Sequence, residues 1–161
     1  MSCFDSVGIE FNFACDPLAA SRVLEEFQTV IRIVTFEMTC MCTLPFELFE
    51  NELFKSTTVQ GRFFTEVSRF LFDFCKQHEN NPELYVGFNS CDAVCMACIL
   101  DESIIEETKR VYACVEPFGQ LASGHMISDW YDHFKRQPNV EIIVNINKDK
   151  FEQLFRLCVK E

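Results

Sequence analysis

Glycine and proline are scarce, five of each in 161 residues, which excludes collagen-like repeats and a low-complexity disordered chain. Basic residues are also few. Fourteen Lys and Arg stand against 25 Asp and Glu, for a formal net charge of -11. A field of that sign repels phosphate backbones and anionic lipid, so nucleic-acid binding and adsorption to a membrane surface are both disfavoured. No window approaches 18 uncharged apolar residues, the length a membrane helix needs. Met1–Ala20 has no basic start and no apolar run, since Asp5, Glu10 and Asp16 interrupt it, so it does not read as a secretory signal. There is no Gly-rich phosphate loop, nucleophile elbow or HExxH sequence.

What is present is sulfur, phenylalanine and acid. Ten Cys in a chain without a leader imply a cytoplasmic protein whose thiols stay reduced and pack as small hydrophobes. The length suits one globular domain over residues 1–161, large enough to bury a core without bridges, metal or cofactor. The acidity is uneven. Residues 1–54 hold nine acidic and two basic side chains and residues 79–132 hold ten and two, while 55–78 and 133–161 are each net +2.

Periodicity predicts a strand over 7–14, a helix from Pro17 to about 31 capped by Asp16, and either a helix end or a second strand over 33–42. Pro45–Phe54 reads as a short acidic amphipathic helix or an irregular lid. Arg62–His78 gives an amphipathic helix with Phe63, Phe64, Val67, Phe70, Leu71 and Phe74 on the apolar face. Strands are predicted over 84–88 and 93–100, a helix from Asp101 or Ser103 that stops near Pro117 and Gly119, and another from Ser123 to Pro138. A strand over 140–146 and a helix capped by Asn147 complete the chain. Both periodicities alternate along one sequence, which predicts an α+β or α/β domain, a mixed β-sheet covered by amphipathic helices.

Three constellations could carry chemistry. Cys91, Cys95 and Cys98, with three and then two residues between them, resemble the iron–sulfur motif of radical S-adenosylmethionine enzymes. On a buried strand, however, Cys95 and Cys98 face opposite ways, so core sulfur is the reading carried forward. His125, Asp129 and His133 recur every four residues on the predicted helix, one face that could bind a metal; a solvated polar face is the simpler account. The third is acidic. Glu47, Glu50 and Glu52 interleave with Phe46, Phe49 and Phe54, and Asp101, Glu102 and Glu106 gather near one predicted helix start. Carboxylates beside phenylalanine suit steering and anchoring of a basic protein.

These features favour a cytoplasmic, non-catalytic binding module with Glu47, Phe49, Glu50, Glu52, Asp101, Glu102 and Glu106 at its partner surface. Small size, acidity and the lack of a catalytic constellation are also the profile of immunity proteins, which neutralise basic toxin nucleases. The alternatives are a metal- or thiol-dependent enzyme using Cys91, Cys95 and Cys98, and a viral or host adaptor binding through its Phe-rich segments.

Overall fold

The computed structural model describes residues 9–77 and 87–158. The α+β expectation holds: helices dominate, with a three-stranded sheet and a two-stranded hairpin among the described residues. In chain order the elements are α1 (Phe11–Cys15), α2 (Pro17–Glu26), β1 (Ile31–Val34), α3 (Phe36–Met41), α4 (Phe46–Asn51) and α5 (Val59–Gln77). There follow α6 (Cys91–Leu100), β2 (Ile105–Val111), β3 (Ala113–Glu116), β4 (His125–Ser128), β5 (Val140–Ile146) and α7 (Lys148–Leu157). Short 3-10 turns occupy Leu53–Lys55 and Glu102–Ile104. The larger sheet has the order β1-β5-β2. No described helix is long and apolar enough to cross a membrane.

Contacts divide the chain into two compact units, 1–33 with 108–143 and 34–107 with 144–161. In the first, Leu24 of α2 joins Val111, Ala113, Val115, Val140 and Ile142 in a small aliphatic core. The β3–β4 hairpin is antiparallel, with Ala113 opposite Ser128 and Glu116 opposite His125. Gly124 closes it at φ +94, a conformation that disfavours side chains, and donates its N–H to the Glu116 carbonyl at 2.7 Å. In the second unit the core is a phenylalanine cluster. Phe49 is 0% exposed and its ring centroid lies 4.5 Å from Phe88, 5.3 Å from Phe72, 5.6 Å from Phe54 and 6.2 Å from Phe155. A sequence with 18 Phe can build such a core from offset and edge-on ring pairs.

Several predicted elements change type, each for a local reason. The strand predicted over 7–14 is helix α1 from Phe11, because the Glu10 carboxylate accepts the N–H groups of Asn12 at 2.8 Å and Phe13 at 3.2 Å; Val7 and Gly8 lie outside the described residues. The predicted helix from Pro17 ends at Glu26, and the ambiguous segment after it holds β1 and then α3, which Thr35 caps. The strand predicted over 93–100 is helix α6, since a segment apolar on every side carries no period to separate the two. Of the strand predicted over 84–88, residues 84–86 lie outside the described residues; Phe88 makes one antiparallel bridge with Leu44.

The predicted helix after Asp101 becomes a 3-10 turn followed by β2 and β3, and the one after Ser123 becomes β4 and turns. Thr108, Val111 and Val115 are stiff at χ1 and favour the extended chain, and the turn at Gly124 folds β4 back onto β3. Helix α5 forms where predicted but begins at Val59, three residues before Arg62 and through Gly61, while His78 lies outside the described residues; its buried stripe is displaced. Gly61, Ser68, Phe72 and Cys75 face inward, whereas Phe63, Val67 and Phe70 are exposed. Small residues let the backbone approach its neighbours closely, and the Ser68 hydroxyl is satisfied by donating to the Phe64 carbonyl at 2.7 Å. The strand over 140–146 and the Asn147-capped α7 form as predicted.

Candidate functional site

Of the residues expected at an acidic partner surface, Phe49 is buried and four carboxylates take part in contacts within the fold. Phe49 is the hub of the second core and has no exposed area to offer. Glu50 pairs with Lys76, and Glu52 pairs with Arg156, which also bonds Glu152 at 2.6 Å. Glu106 accepts from the side-chain amides of Asn145 at 2.9 Å and Asn147 at 3.0 Å. Asp101 accepts the Ser103 N–H at 2.9 Å, and bonds from the Ser103 hydroxyl and N–H hold its carboxyl below the ordinary value. Glu47 is exposed in the first turn of α4, and Glu102 is exposed in the 3-10 turn.

The metal candidates do not converge. Cys91, Cys95 and Cys98 lie on α6, not on a strand, with Cys98 buried and Cys95 exposed. His125 starts β4, while Asp129 and His133 lie in the following turn, so no helix face unites them. Among the described residues no three or more His, Cys, Asp and Glu gather closely enough to hold a metal.

What the second unit does bring together lies at the start of α6. The Asn89 amide donates to Thr39 Oγ1 at 3.3 Å and to Cys40 Sγ at 3.5 Å, and its carbonyl oxygen accepts from Cys91 Sγ at 3.4 Å. Thr39 Oγ1 lies 3.4 Å from Cys91 Sγ and donates to the Phe36 carbonyl at 2.8 Å. Burial pushes the Cys40 and Cys75 thiols up, aided by the neighbouring Cys91, so at neutral pH they remain protonated and weakly nucleophilic. Asp92 lies in the same first turn of α6 and is exposed. Such an arrangement suits an uncharged, hydroxyl-bearing ligand: amide and hydroxyl groups can donate and accept, and the carboxylate can take a proton.

Sequence reading missed Thr39, Cys40 and Asn89, which lie some 50 positions apart and meet only in the tertiary fold. The available signal was Asn89-Ser90 ahead of an apolar segment, which is helix-start chemistry once that segment is taken as helical.

In the first unit the charged centre is Glu141 on β5. It accepts from Arg32 Nε on β1 at 2.8 Å and Arg110 Nε on β2 at 3.0 Å, and these bonds, Arg110 first, hold its carboxyl below the usual glutamate range. A depressed folded-state value stabilises the fold above the unfolded value and loses that contribution as pH falls through the folded one. Stability should therefore decline from about pH 4.3 downward, and Glu141→Gln should flatten this acid limb in melts recorded between pH 7 and pH 3. At pH 7 the variant should lose about 1–2 kcal/mol, modest because the arginines are 41% and 65% exposed. An unchanged acid limb would show that the triad is not the group responsible.

Comparison with known proteins extends this geometry. The family model described as inosine-uridine preferring nucleoside hydrolase matches residues 6–153. The chain is 26% identical over 145 residues to the pyrimidine-specific ribonucleoside hydrolase RihA of Shigella flexneri serotype 5b, covering 90% of this chain and 45% of that protein. Among solved structures it resembles an inosine-guanosine nucleoside hydrolase at TM-score 0.78 and 20% identity, over 94% of this chain and 46% of that one. A purine-preferring ribonucleoside hydrolase from Gardnerella vaginalis gives TM-score 0.76 at 19% identity, over 95% and 46%. The chain thus spans about half the length of the relatives it matches.

These matches overturn the reading as a non-catalytic immunity protein, and with it the basic toxin domain as partner: the relatives are enzymes acting on small molecules. Charge had suggested the partner, yet Glu50, Glu52 and Glu106 are engaged within the fold. The family match covers nearly the whole chain, and the protein belongs to the inosine-uridine preferring nucleoside hydrolase family.

Proposed function

We propose that the chain acts in the hydrolysis of the N-glycosidic bond of a ribonucleoside. The observation that carries this reading is the family match over residues 6–153. The names of the relatives differ in the base, pyrimidine in one, inosine and guanosine in another, purine in a third, and agree on the nucleoside. The portion common to such substrates is the ribose, and the substrate class proposed here is accordingly the ribonucleoside, with the base left unassigned.

In the reaction the oxygen of water bonds to C1′ as the bond from C1′ to the base nitrogen breaks. The electron pair of that bond stays on the base, which takes up a proton, so one water is consumed for each ribose and base released. The groups at the start of α6 suit two parts of this task. Asn89, half-buried and held by Thr39 and Cys91, is a neutral hydrogen-bonding group suited to a sugar hydroxyl, and Asp92 is a carboxylate able to accept the proton of the attacking water.

A cytoplasmic setting belongs to the same proposal, supported by the high cysteine content and by thiols such as Cys42 and Cys75 that pack as buried hydrophobes.

The test is release of free base from inosine and from uridine, followed chromatographically for the wild type and Asp92→Asn. Removing a general base should lower the rate by about 100-fold or more while leaving the circular dichroism spectrum unchanged. Equal rates in both proteins would remove Asp92 from the chemistry.

A further inference from the structure

In the first unit, the end of β2 and the turn over residues 129–138 enclose a cleft of about 360 Å3. That is near the lower end of the roughly 300–1,000 Å3 typical of small-ligand sites. Its charge runs against that of the chain. Lys109, Arg110, Lys135 and Arg136 line it, against Asp129 and Asp132, in a protein whose net charge is -11. At physiological salt, charges beyond about 8 Å are largely screened, so the local set decides what the cleft attracts.

Both lining carboxylates are already engaged. Asp129 is 9% exposed and accepts the N–H groups of His133 at 2.8 Å and Phe134 at 2.7 Å. Burial pushes its carboxyl up, but these backbone bonds and the nearby His133 outweigh it and the net direction is down. Asp132 holds Lys135 at 3.0 Å, and Arg110 is held by Glu141. In the turn Asp132 stands at φ 56 and Lys135 at φ 52. Two cations remain uncommitted to any carboxylate among the described residues. Lys109 Nζ lies 4.9 Å from the Trp130 ring centroid; the Arg136 guanidinium lies 5.0 Å from that of Tyr112 and donates to the Tyr112 hydroxyl at 2.5 Å.

Two cations without a carboxylate partner among the described residues, Lys109 on β2 and Arg136 in the turn, are a receptor for a phosphate, and Arg136 can meet its oxygens with a planar fork of donors. Beside them the Trp130 ring is 43% exposed and offers a face on which a heterocyclic base can stack. We infer that this cleft binds a nucleoside monophosphate, with Lys109 and Arg136 receiving the phosphate and Trp130 carrying the base. The assignment is independent of whether the chain hydrolyses nucleosides, because it uses none of the residues placed at the start of α6.

Trp130 is the one tryptophan in the sequence, so its fluorescence reports on this cleft directly. The experiment titrates the full chain with uridine 5′-monophosphate, uridine and inorganic phosphate separately, at low and high salt, with calorimetry in parallel. The nucleotide should bind saturably, at least about tenfold tighter than either uridine or phosphate, and more weakly at high salt. Lys109→Gln and Arg136→Gln should each weaken it by about tenfold, with Arg136→Lys intermediate; both positions are exposed, so the fold should be unaffected. Binding of uridine or phosphate as tight as that of the nucleotide would overturn the assignment. So would unaltered affinity in the Gln variants, or no saturable response to the nucleotide by either method.

Discussion

Phe49→Ala should lower the melting temperature by about 6 to 20 °C. Removing a fully buried phenylalanine costs about 3–5 kcal/mol, and in a chain of this size each kcal/mol shifts the midpoint by roughly 2–4 °C. Phe49 belongs at the top of that range because its neighbours are rings that cannot collapse into the space. Phe54, Phe72 and Phe88 surround Phe49 at 4.5–5.6 Å centroid separations, Phe54 and Phe72 already contact each other at 4.9 Å, and Leu44, Leu48 and Leu53 are 0–3% exposed. The loss is comparable with a large part of the roughly 5–15 kcal/mol that holds a typical domain folded. Phe49→Leu, which keeps most of the volume, should lose far less. A shift below 2 °C for the alanine variant would mean that the phenylalanine cluster is not the core it is described as here.

The second large effect is expected at Asn139, whose side chain closes three backbone valences at once. Its amide donates to the Leu24 carbonyl at 2.8 Å and to the Ala113 carbonyl at 2.8 Å, and its oxygen accepts the Ala113 N–H at 2.8 Å. Leu24 lies in the last turn of α2, where carbonyls lack intrahelical partners. Ala113 is 0% exposed and Leu24 4%, so water cannot easily replace the amide. Asn139→Leu keeps the shape but strands these groups, and should cost about 3 kcal/mol. Asn139→Asp can restore only the bond from the Ala113 N–H and should recover a minor part. Urea midpoints at constant slope measure both; a leucine variant as stable as wild type would contradict the clamp.

How far the sequence foretold this molecule depends on whether each segment had one apolar side. Helix α7 and strand β5 were legible because Phe151 and Phe155 recur at helical spacing and Val140–Ile146 is a short β-branched run. Helix α6 was not, since beyond Asp92 its residues 93–100 are apolar around the whole circumference and propensity is a weak arbiter there. On α5 the stripe of largest residues was taken as the buried one. Small Gly61, Ser68 and Cys75 lie inward instead, because close approach, which side-chain size does not announce, set the packing.

The candidate site was legible in one residue only. Cysteine spacing drew attention to Cys91 for cluster chemistry, and the fold sets that thiol in a network with Asn89 and Thr39 instead. Net charge misled for a related reason: it is a sum, and carboxylates such as Glu52 and Glu141 that serve internal arginines count in it as fully as free ones.

In the proposed hydrolysis water cuts the bond between ribose and base, and the most direct measurement follows the oxygen. The full chain is incubated with inosine in 18O-labelled water and the products are resolved by mass spectrometry. The account predicts free hypoxanthine without label and ribose carrying one 18O. Inosine recovered intact, or ribose released without the label, would contradict it.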